Sequence, residues 1–134
     1  MIVVDTSVWI AARRRPSVAD VLEKLIDADE VALALPVQIE LLAGVARQYR
    51  KALTRALGAL PCLVPTDDTW APLVSWVATA SEAGEHFAFT DLMIAALAAD
   101  IGGLVWSMDE DFKRMERLKF IATYVPPPDT GSHI

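Results

Sequence analysis

The sequence has few residues that bind soft metals and no long apolar run. Its 134 residues include one cysteine and two histidines, which excludes an internal disulfide and leaves no Cys/His set with the spacing of a zinc site. The longest apolar run, Leu92 to Ala99, is far shorter than the roughly 20 residues that a membrane helix needs. Asp5 stands where a signal peptide would require a basic start. We therefore expect a cytoplasmic protein that does not contact a membrane.

Positive charge is also scarce. The chain has 12 lysines and arginines against 18 acidic residues, a formal net charge of -6. This balance argues against a surface built for tight, non-specific phosphate binding, which depends on clustered Lys and Arg. The basic residues are nevertheless grouped in three segments, 13–15, 47–55 and 113–119. Each group is either a solvated face or a contact for nucleic acid or a protein partner, and the sequence leaves both open.

The apolar residues predict one α/β domain. At 54% hydrophobic residues, the chain is long enough to bury a single core. Short apolar runs predict strands at Met1–Val4, Val31–Leu35, Cys62–Val64, Leu104–Ser107 and Phe120–Val125. Helical patterns separate these runs, which predicts βαβ units and an α/β/α sandwich around a mostly parallel sheet. We assign residues 1–125 to this domain and residues 126–134 to an extended proline-rich tail.

Several helix boundaries are also predicted. Ser17 with Asp20 forms a candidate capping box for the first helix, and Pro36 suits the start of a helix running to about Ala46. Further helices are expected around residues 49–60, 90–99 and 109–115. In the helix capped by Thr66 or Asp67, the apolar spacing predicts an inward face, with these members: Trp70, Leu73, Val74 and Val77.

Four acidic residues stand in unexpected places. Asp5, Glu40 and Asp91 are each the lone charged residue of an apolar segment that the fold must bury. An unpaired buried carboxylate costs several kcal/mol, so each needs a base, a proton, hydrogen bonds or a metal. Asp5 and Asp109 both follow predicted strands, at the edge of a parallel sheet where ligands bind. We expect all four to converge there.

Taken singly, these acids have simpler explanations. Asp91 fits a helix cap, Asp5 a strand-end turn residue and Glu40 a partly exposed helix residue. Taken together, four clustered carboxylates repel one another, and magnesium or manganese would neutralise them. Such a site suits phosphodiester hydrolysis, with either two ions or one ion and a carboxylate acting as general base.

Four motifs carry a family resemblance. MIVVDTSVWI, LPVQIELLAG, GEHFAFTDLMIAALA and WSMDEDF, in this order, resemble the PIN-domain ribonucleases, and the closest likeness is to the VapC toxins of bacterial toxin–antitoxin modules. The resemblance extends from Met1 to about Val125. It implies a PIN-like fold and a metal-dependent endoribonuclease that hydrolyses RNA with Mg²⁺ or Mn²⁺.

The resemblance also implies roles for individual residues and partners. The catalytic and metal-binding set, hereafter the acidic quartet, would be Asp5, Glu40, Asp91 and Asp109, with Asp5 and Asp91 as the core ligands. Supporting roles would fall to Thr6, Ser107 and Asp111. A VapC-type toxin would form a homodimer and bind an antitoxin protein that can place a basic side chain in the acidic site.

Three other functions stay open. The chain could be a PIN nuclease with a housekeeping role in RNA processing, or a PIN-fold binding module without catalysis, although the complete quartet favours an enzyme. A phosphatase with an aspartyl nucleophile also begins with an aspartate at a strand end. That class requires a second aspartate two residues later, where this chain has Ser7.

Overall fold

One parallel sheet forms the centre of the protein. The structure is a computed structural model that describes residues 1–128. Its strands are β1 Ile2–Val4, β2 Val31–Ala34, β3 Cys62–Leu63, β4 Leu104–Trp106 and β5 Ala122–Thr123. They lie in the order β3-β2-β1-β4-β5, and each neighbouring pair is parallel. The predicted parallel α/β/α sheet is confirmed.

Helices cover both faces of this sheet. They are α1 Thr6–Ala12, α2 Pro16–Asp27, α3 Leu35–Gly44, α4 Arg50–Gly58, α5 Asp67–Glu82, α6 Phe89–Asp100 and α7 Glu110–Arg117, with a 3-10 turn at Arg47–Tyr49. None of the helices in the described part of the chain combines the length and hydropathy that crossing a membrane requires. Residues 124–128 form neither helix nor strand, and the rest of the predicted tail, 129–134, lies outside the described residues.

The core has two halves, one on each side of the sheet. Val3 of β1 packs among residues of α3 and α6, whereas its neighbours Ile2 and Val4 pack with Val18 and Leu22 of α2. This alternation follows from the two-residue period of a strand. Because both faces are covered, every residue of β1 is buried and the strand has no polar position.

Two predictions about the N-terminal helices are wrong. No helix was predicted for residues 6–12, a segment that contains β-branched and aromatic residues of weak helix propensity. Helix α1 is nonetheless present: Val8 is fully buried among core residues distant in sequence, and Trp9 Nε1 donates locally to the Val4 carbonyl oxygen at 3.2 Å. The predicted Ser17 capping box is absent, since α2 begins at Pro16 and Arg15 is its N-cap.

The predicted inward face of α5 is also largely wrong. Leu73 is buried, but Trp70, Val74 and Val77 are 47%, 81% and 52% exposed. The buried stripe instead includes Thr69, whose hydroxyl forms a capping box with Thr66 and donates to Asp100 Oδ2 at 2.5 Å. Two apolar stripes run along this helix, and these polar contacts determine which of them faces the core.

Strand order places a crevice beside β1. The chain runs from β1 outward to β2 and β3, then crosses back to β4 and β5 on the other side of β1. The direction of winding therefore reverses between β1 and β4. In open parallel sheets, ligands bind outside the carboxyl ends of the strands at such a reversal.

Candidate functional site

Asp5 lies at the carboxyl end of β1, beside the crevice. Its backbone N–H donates to the Trp106 carbonyl oxygen at 2.8 Å, which joins the ends of β1 and β4. Only 6% of the residue is exposed. The carboxylate is satisfied by two hydroxyls, since Ser7 Oγ and Ser107 Oγ donate to Asp5 Oδ2 at 2.7 and 2.8 Å. These bonds stabilise a buried charge that would otherwise be costly.

The two serines also hold the loop after β4. Their Oγ atoms lie 3.2 Å apart. The backbone N–H of Met108 donates to Ser7 Oγ at 3.0 Å, and that of Asp109 donates to Ser107 Oγ at 2.9 Å. Ser7 was missed by the sequence analysis, where it served only as evidence against a phosphatase. Its position two residues after Asp5 is visible in the sequence, but α1, the helix that carries its hydroxyl to that carboxylate, was not predicted.

Thr6 contacts a different acid from the one beside it in sequence. Its Oγ1 donates to Glu40 Oε1 at 3.0 Å, which links α1 to α3. Glu40 is exposed, so the burial argument that singled it out does not hold for its side chain, although it holds for Asp5. The apolar residues around it in sequence bury the opposite side of α3, with Val37 and Leu41 inward.

Asp91 lies in the first turn of α6 and is partly buried. It is not the helix cap, because the N-cap is Ala88. Burial and then, in decreasing order, the negative charges of Asp5, Asp109 and Glu40 together raise the pKa of Asp91 from 3.8 to about 6. The structure thus brings the acidic quartet within electrostatic range of one side chain.

Asp109 caps α7 and is hydrogen-bonded to a fifth acidic residue, Asp111. Its Oδ1 accepts the backbone N–H of Asp111 at 3.0 Å. One carboxylate oxygen from each of Asp91, Asp109 and Asp111 lies within 4.8 Å of the others. This closely spaced set, which we call the aspartate triad, includes Asp111 but neither Asp5 nor Glu40.

The donor chemistry of the triad fits a hard divalent cation. All of its side chains offer oxygen, the ligand that Mg²⁺ and Mn²⁺ prefer. The pKa of Asp91 is raised here by burial and then by the negative charges of its acidic neighbours. A divalent ion would relieve this repulsion, and Asp5 lies close enough to contribute to the same field.

One arginine reaches the acids. Arg114 of α7 pairs through its guanidinium with Asp111 Oδ1, and its Nε lies 3.0 Å from Glu85 Oε2. All three side chains are partly buried. The apolar segments around Asp5, Glu40 and Asp91 contain no base of their own. This arginine is three residues beyond Asp111, on the same helix face.

A cleft of about 650 Å³ adjoins the acidic site. Ser107 and Asp109 line one end, and the walls are formed by α2, α7 and residues 123–128. Three basic residues line it: Arg15, Lys24 and Lys113. Arg15 and Lys113 belong to two of the three basic segments of the sequence, and Lys24 lies outside all three. Asp20 is the other acid of the lining.

Comparison with known proteins identifies the family. The family model of the PIN domain matches residues 2–118. No curated protein matches the sequence. Among solved structures, VapBC2 from Rickettsia felis, bound to a promoter DNA fragment, aligns with a TM-score of 0.77 at 17% identity, covering 92% of this chain and 98% of that chain.

Two structures from Mycobacterium tuberculosis are also similar. VapBC-5, a member of the VapBC family of toxin–antitoxin systems, aligns with a TM-score of 0.68 at 27% identity, over 92% of this chain and 97% of that chain. VapC20, a sarcin–ricin loop cleaving toxin, aligns with a TM-score of 0.61 at 19% identity, over 95% of this chain and 100% of that chain. The predicted resemblance to VapC-type PIN proteins is confirmed, and the chain belongs to the PIN domain family.

Proposed function

We propose that the protein is a metal-dependent endoribonuclease, the toxin of a type II toxin–antitoxin module. The observation that carries this proposal is the convergence of the acidic quartet beside the crevice between β1 and β4, where Asp91 has a pKa raised to about 6 by burial and by the other three acids. Membership of the PIN family supports nuclease chemistry. The VapBC complexes among similar structures support a toxin paired with an antitoxin.

The proposed substrate is RNA. VapC20, which shares the fold over nearly the whole chain, is a toxin that cleaves the sarcin–ricin loop. The cleft beside Asp109 offers Arg15, Lys24 and Lys113 to a phosphate backbone. These residues make the cleft more basic than a chain with a net charge of -6 would suggest. An RNA strand lying in it would bring a phosphodiester to the acids.

The acidic quartet would hold Mg²⁺ or Mn²⁺, with Asp5 and Asp91 as the core ligands and Glu40 and Asp109 completing the set. When bound, such an ion activates water and stabilises the charge on a phosphate oxygen. Ser7 and Ser107 orient the Asp5 carboxylate, and Thr6 orients Glu40. Asp111 supports the site through its backbone bond to Asp109. A quartet member left free of the ion would act as general base.

Two protein partners belong to the proposal. An antitoxin would supply positive charge to the uncompensated acids. A second copy of the chain would cover the apolar stripe on α5, where Trp70, Val74 and Val77 are exposed and Trp70 stacks on exposed Phe89 at 6.1 Å between ring centroids. Contiguous exposed apolar residues commonly mark protein interfaces. We place both partners in the cytoplasm.

The experiment is cleavage of a total-RNA pool by purified protein with Mg²⁺, with Mn²⁺ and with EDTA. We expect discrete fragments that require the ion and that Asp5→Asn abolishes. Asp27→Asn is the matched control, since Asp27 is exposed at the end of α2, near the opposite edge of the sheet. It should cleave like the wild type.

Either of two results would contradict the enzyme assignment. The first is an Asp5→Asn variant that is as active as the wild type. The second is the absence of cleavage by a preparation that mass spectrometry shows to be free of a bound antitoxin. The second would favour a PIN-fold binding module. An active enzyme whose expression leaves growth unaffected, from a gene without a short partner gene upstream, would favour a housekeeping role in RNA processing.

A further inference from the structure

Arg114 has a position that the proposed chemistry does not use. It lies on α7 and makes ion pairs in two directions, to Asp111 on its own helix and to Glu85 on a different segment. Glu85 belongs to the short connection between α5 and α6, and its backbone N–H donates to the Ala80 carbonyl oxygen at 2.8 Å. Arg114 therefore joins α7 to a segment that is itself held to the end of α5.

The two joined segments carry the aspartate triad. Glu85 precedes Asp91 by six residues, at the entry to α6, and Asp111 is the triad member on the first turn of α7. The triad members lie within 4.8 Å of one another across these two helices, where like charges repel. This repulsion works against the apolar packing of α7 on α6, and Arg114 adds an attractive contact beside the acids themselves.

We infer that Arg114 is a positioning residue, which holds the start of α7 against the entry to α6 so that the triad keeps its spacing before an ion binds. The inference rests on the proposed metal-binding function. A guanidinium suits this role because its planar fork can engage two carboxylates at once, whereas the ammonium of lysine is a single point charge. Asp111, being paired with Arg114, supports the site rather than adding a free charge to it.

The charge of Arg114 and a positioning role predict opposite effects on metal binding when Arg114 is removed. Arg114 is a cation close to a cation site, so removing it without any change of geometry would tighten the binding of Mn²⁺. A positioning role predicts weaker binding when it is removed, because the ligands must then be assembled against their own repulsion. The sign of the change in affinity therefore separates the two roles.

The test is calorimetric titration of Mn²⁺ into wild type, Arg114→Gln and Arg114→Lys. We expect both variants to bind Mn²⁺ about tenfold more weakly, the lower end of the range for residues that orient metal ligands. Arg117→Gln is the matched control, being exposed on the same helix, and should bind like the wild type. Tighter binding by Arg114→Gln, or wild-type binding by Arg114→Lys, would overturn the positioning role.

A second pair of variants tests the tether to Glu85. If Arg114 acts through Glu85, then Glu85→Ala weakens Mn²⁺ binding and the double variant with Arg114→Gln is no weaker than the worse single variant. If the two residues act only as independent charges, their opposite effects cancel and the double variant binds nearly as the wild type does. That result would refute the tether.

Hydrogen exchange of the metal-free protein tests, without any metal, whether Arg114 joins α7 to the segment that contains Glu85. In Arg114→Gln, amides of residues 83–88 and of the first turn of α7 should exchange faster than in wild type, with the central strands unchanged. Unchanged exchange in both segments would refute the role of Arg114 in joining them. Failure of the wild type to bind Mn²⁺ would refute the proposed function instead, and the exchange result would still decide whether Arg114 joins the segments.

Discussion

Replacing Asp91 with asparagine should stabilise the metal-free protein. Burial and three acidic neighbours raise the pKa of Asp91 from 3.8 to about 6, so the charged carboxylate is unfavourable in the folded state. A shift of about two pKa units corresponds to about 3 kcal/mol at most. Because Asp91 is only partly buried, solvent screening reduces this to roughly 1 to 1.5 kcal/mol. Loss of a favourable charge near the start of α6 offsets a few tenths of a kcal/mol of the gain.

The pH dependence of this effect has a definite sign. Between about pH 4 and pH 6 the folded protein keeps the Asp91 proton while the unfolded chain has released it. The folded state binds more protons in this window, so the stability of the wild type relative to Asp91→Asn falls as the pH rises through it. The two proteins should be equally stable below about pH 4 and differ fully above about pH 6.

Urea unfolding in EDTA at several pH values measures this difference, with Asp27→Asn as the control whose stability should follow the wild type. Excess Mn²⁺ should reverse the order. At a hundredfold excess over its dissociation constant, the ion adds about 2.7 kcal/mol to the wild type, and it should add much less to Asp91→Asn. A loss of 1 kcal/mol or more in metal-free Asp91→Asn at pH 7.5 would refute the reasoning, as would a gain that persists at pH 4.

Three further predictions concern the hydroxyls, the cleft and α5. Ser107→Ala removes one of the two donors to Asp5, and both the rate of RNA cleavage and, by about 1 kcal/mol, the free energy of unfolding should fall in paired kinetic and urea measurements. Arg15→Gln with Lys24→Gln should weaken metal-free RNA binding in fluorescence anisotropy and lower the slope of log affinity against log salt by about 1.4 for a single strand; an unchanged slope would place the RNA elsewhere. Val77→Asp should convert a dimer to a monomer in light scattering while leaving the circular dichroism spectrum unchanged, and a variant that stays dimeric would exclude the α5 stripe as the interface.

The sheet was predictable because its strands carry an unmistakable pattern. A run such as Ile2–Val4, buried on both faces, contains no polar residue, and helical periodicity separates it from the next run. Parallel pairing follows from that alternation. Helix α1 was not predicted; its residues Val8 and Trp9 pack with core residues distant in sequence, and a local sequence pattern does not contain such contacts.

The face of α5 was not predictable for a different reason. Apolar residues occur on two stripes of this helix, so periodicity alone does not identify the buried one. Thr69 resolves the choice through its bonds to Thr66 and Asp100, and a threonine gives no such signal in a hydropathy pattern. The stripe left exposed contains Val74 and Val77, and it is the surface that we propose as the interface with a second copy of the chain.

Some residues of the acidic site could be predicted from their position in the sequence, and others are recognised only from their contacts in the structure. Strand-end placement was enough to bring Asp5 and Asp109 to one edge of the sheet, and the lone charge of an apolar helix was enough to single out Asp91. Neither strand-end position nor a lone charge identifies Ser7 or Arg114. Their contribution to the site depends on the contacts that they make in the folded structure. Asp5 is held by hydroxyls, Asp111 is paired with one guanidinium, and burial and acidic neighbours raise the pKa of Asp91. A site that is fixed in place before binding, yet short of positive charge, is the arrangement expected where a mobile cation completes the charge balance.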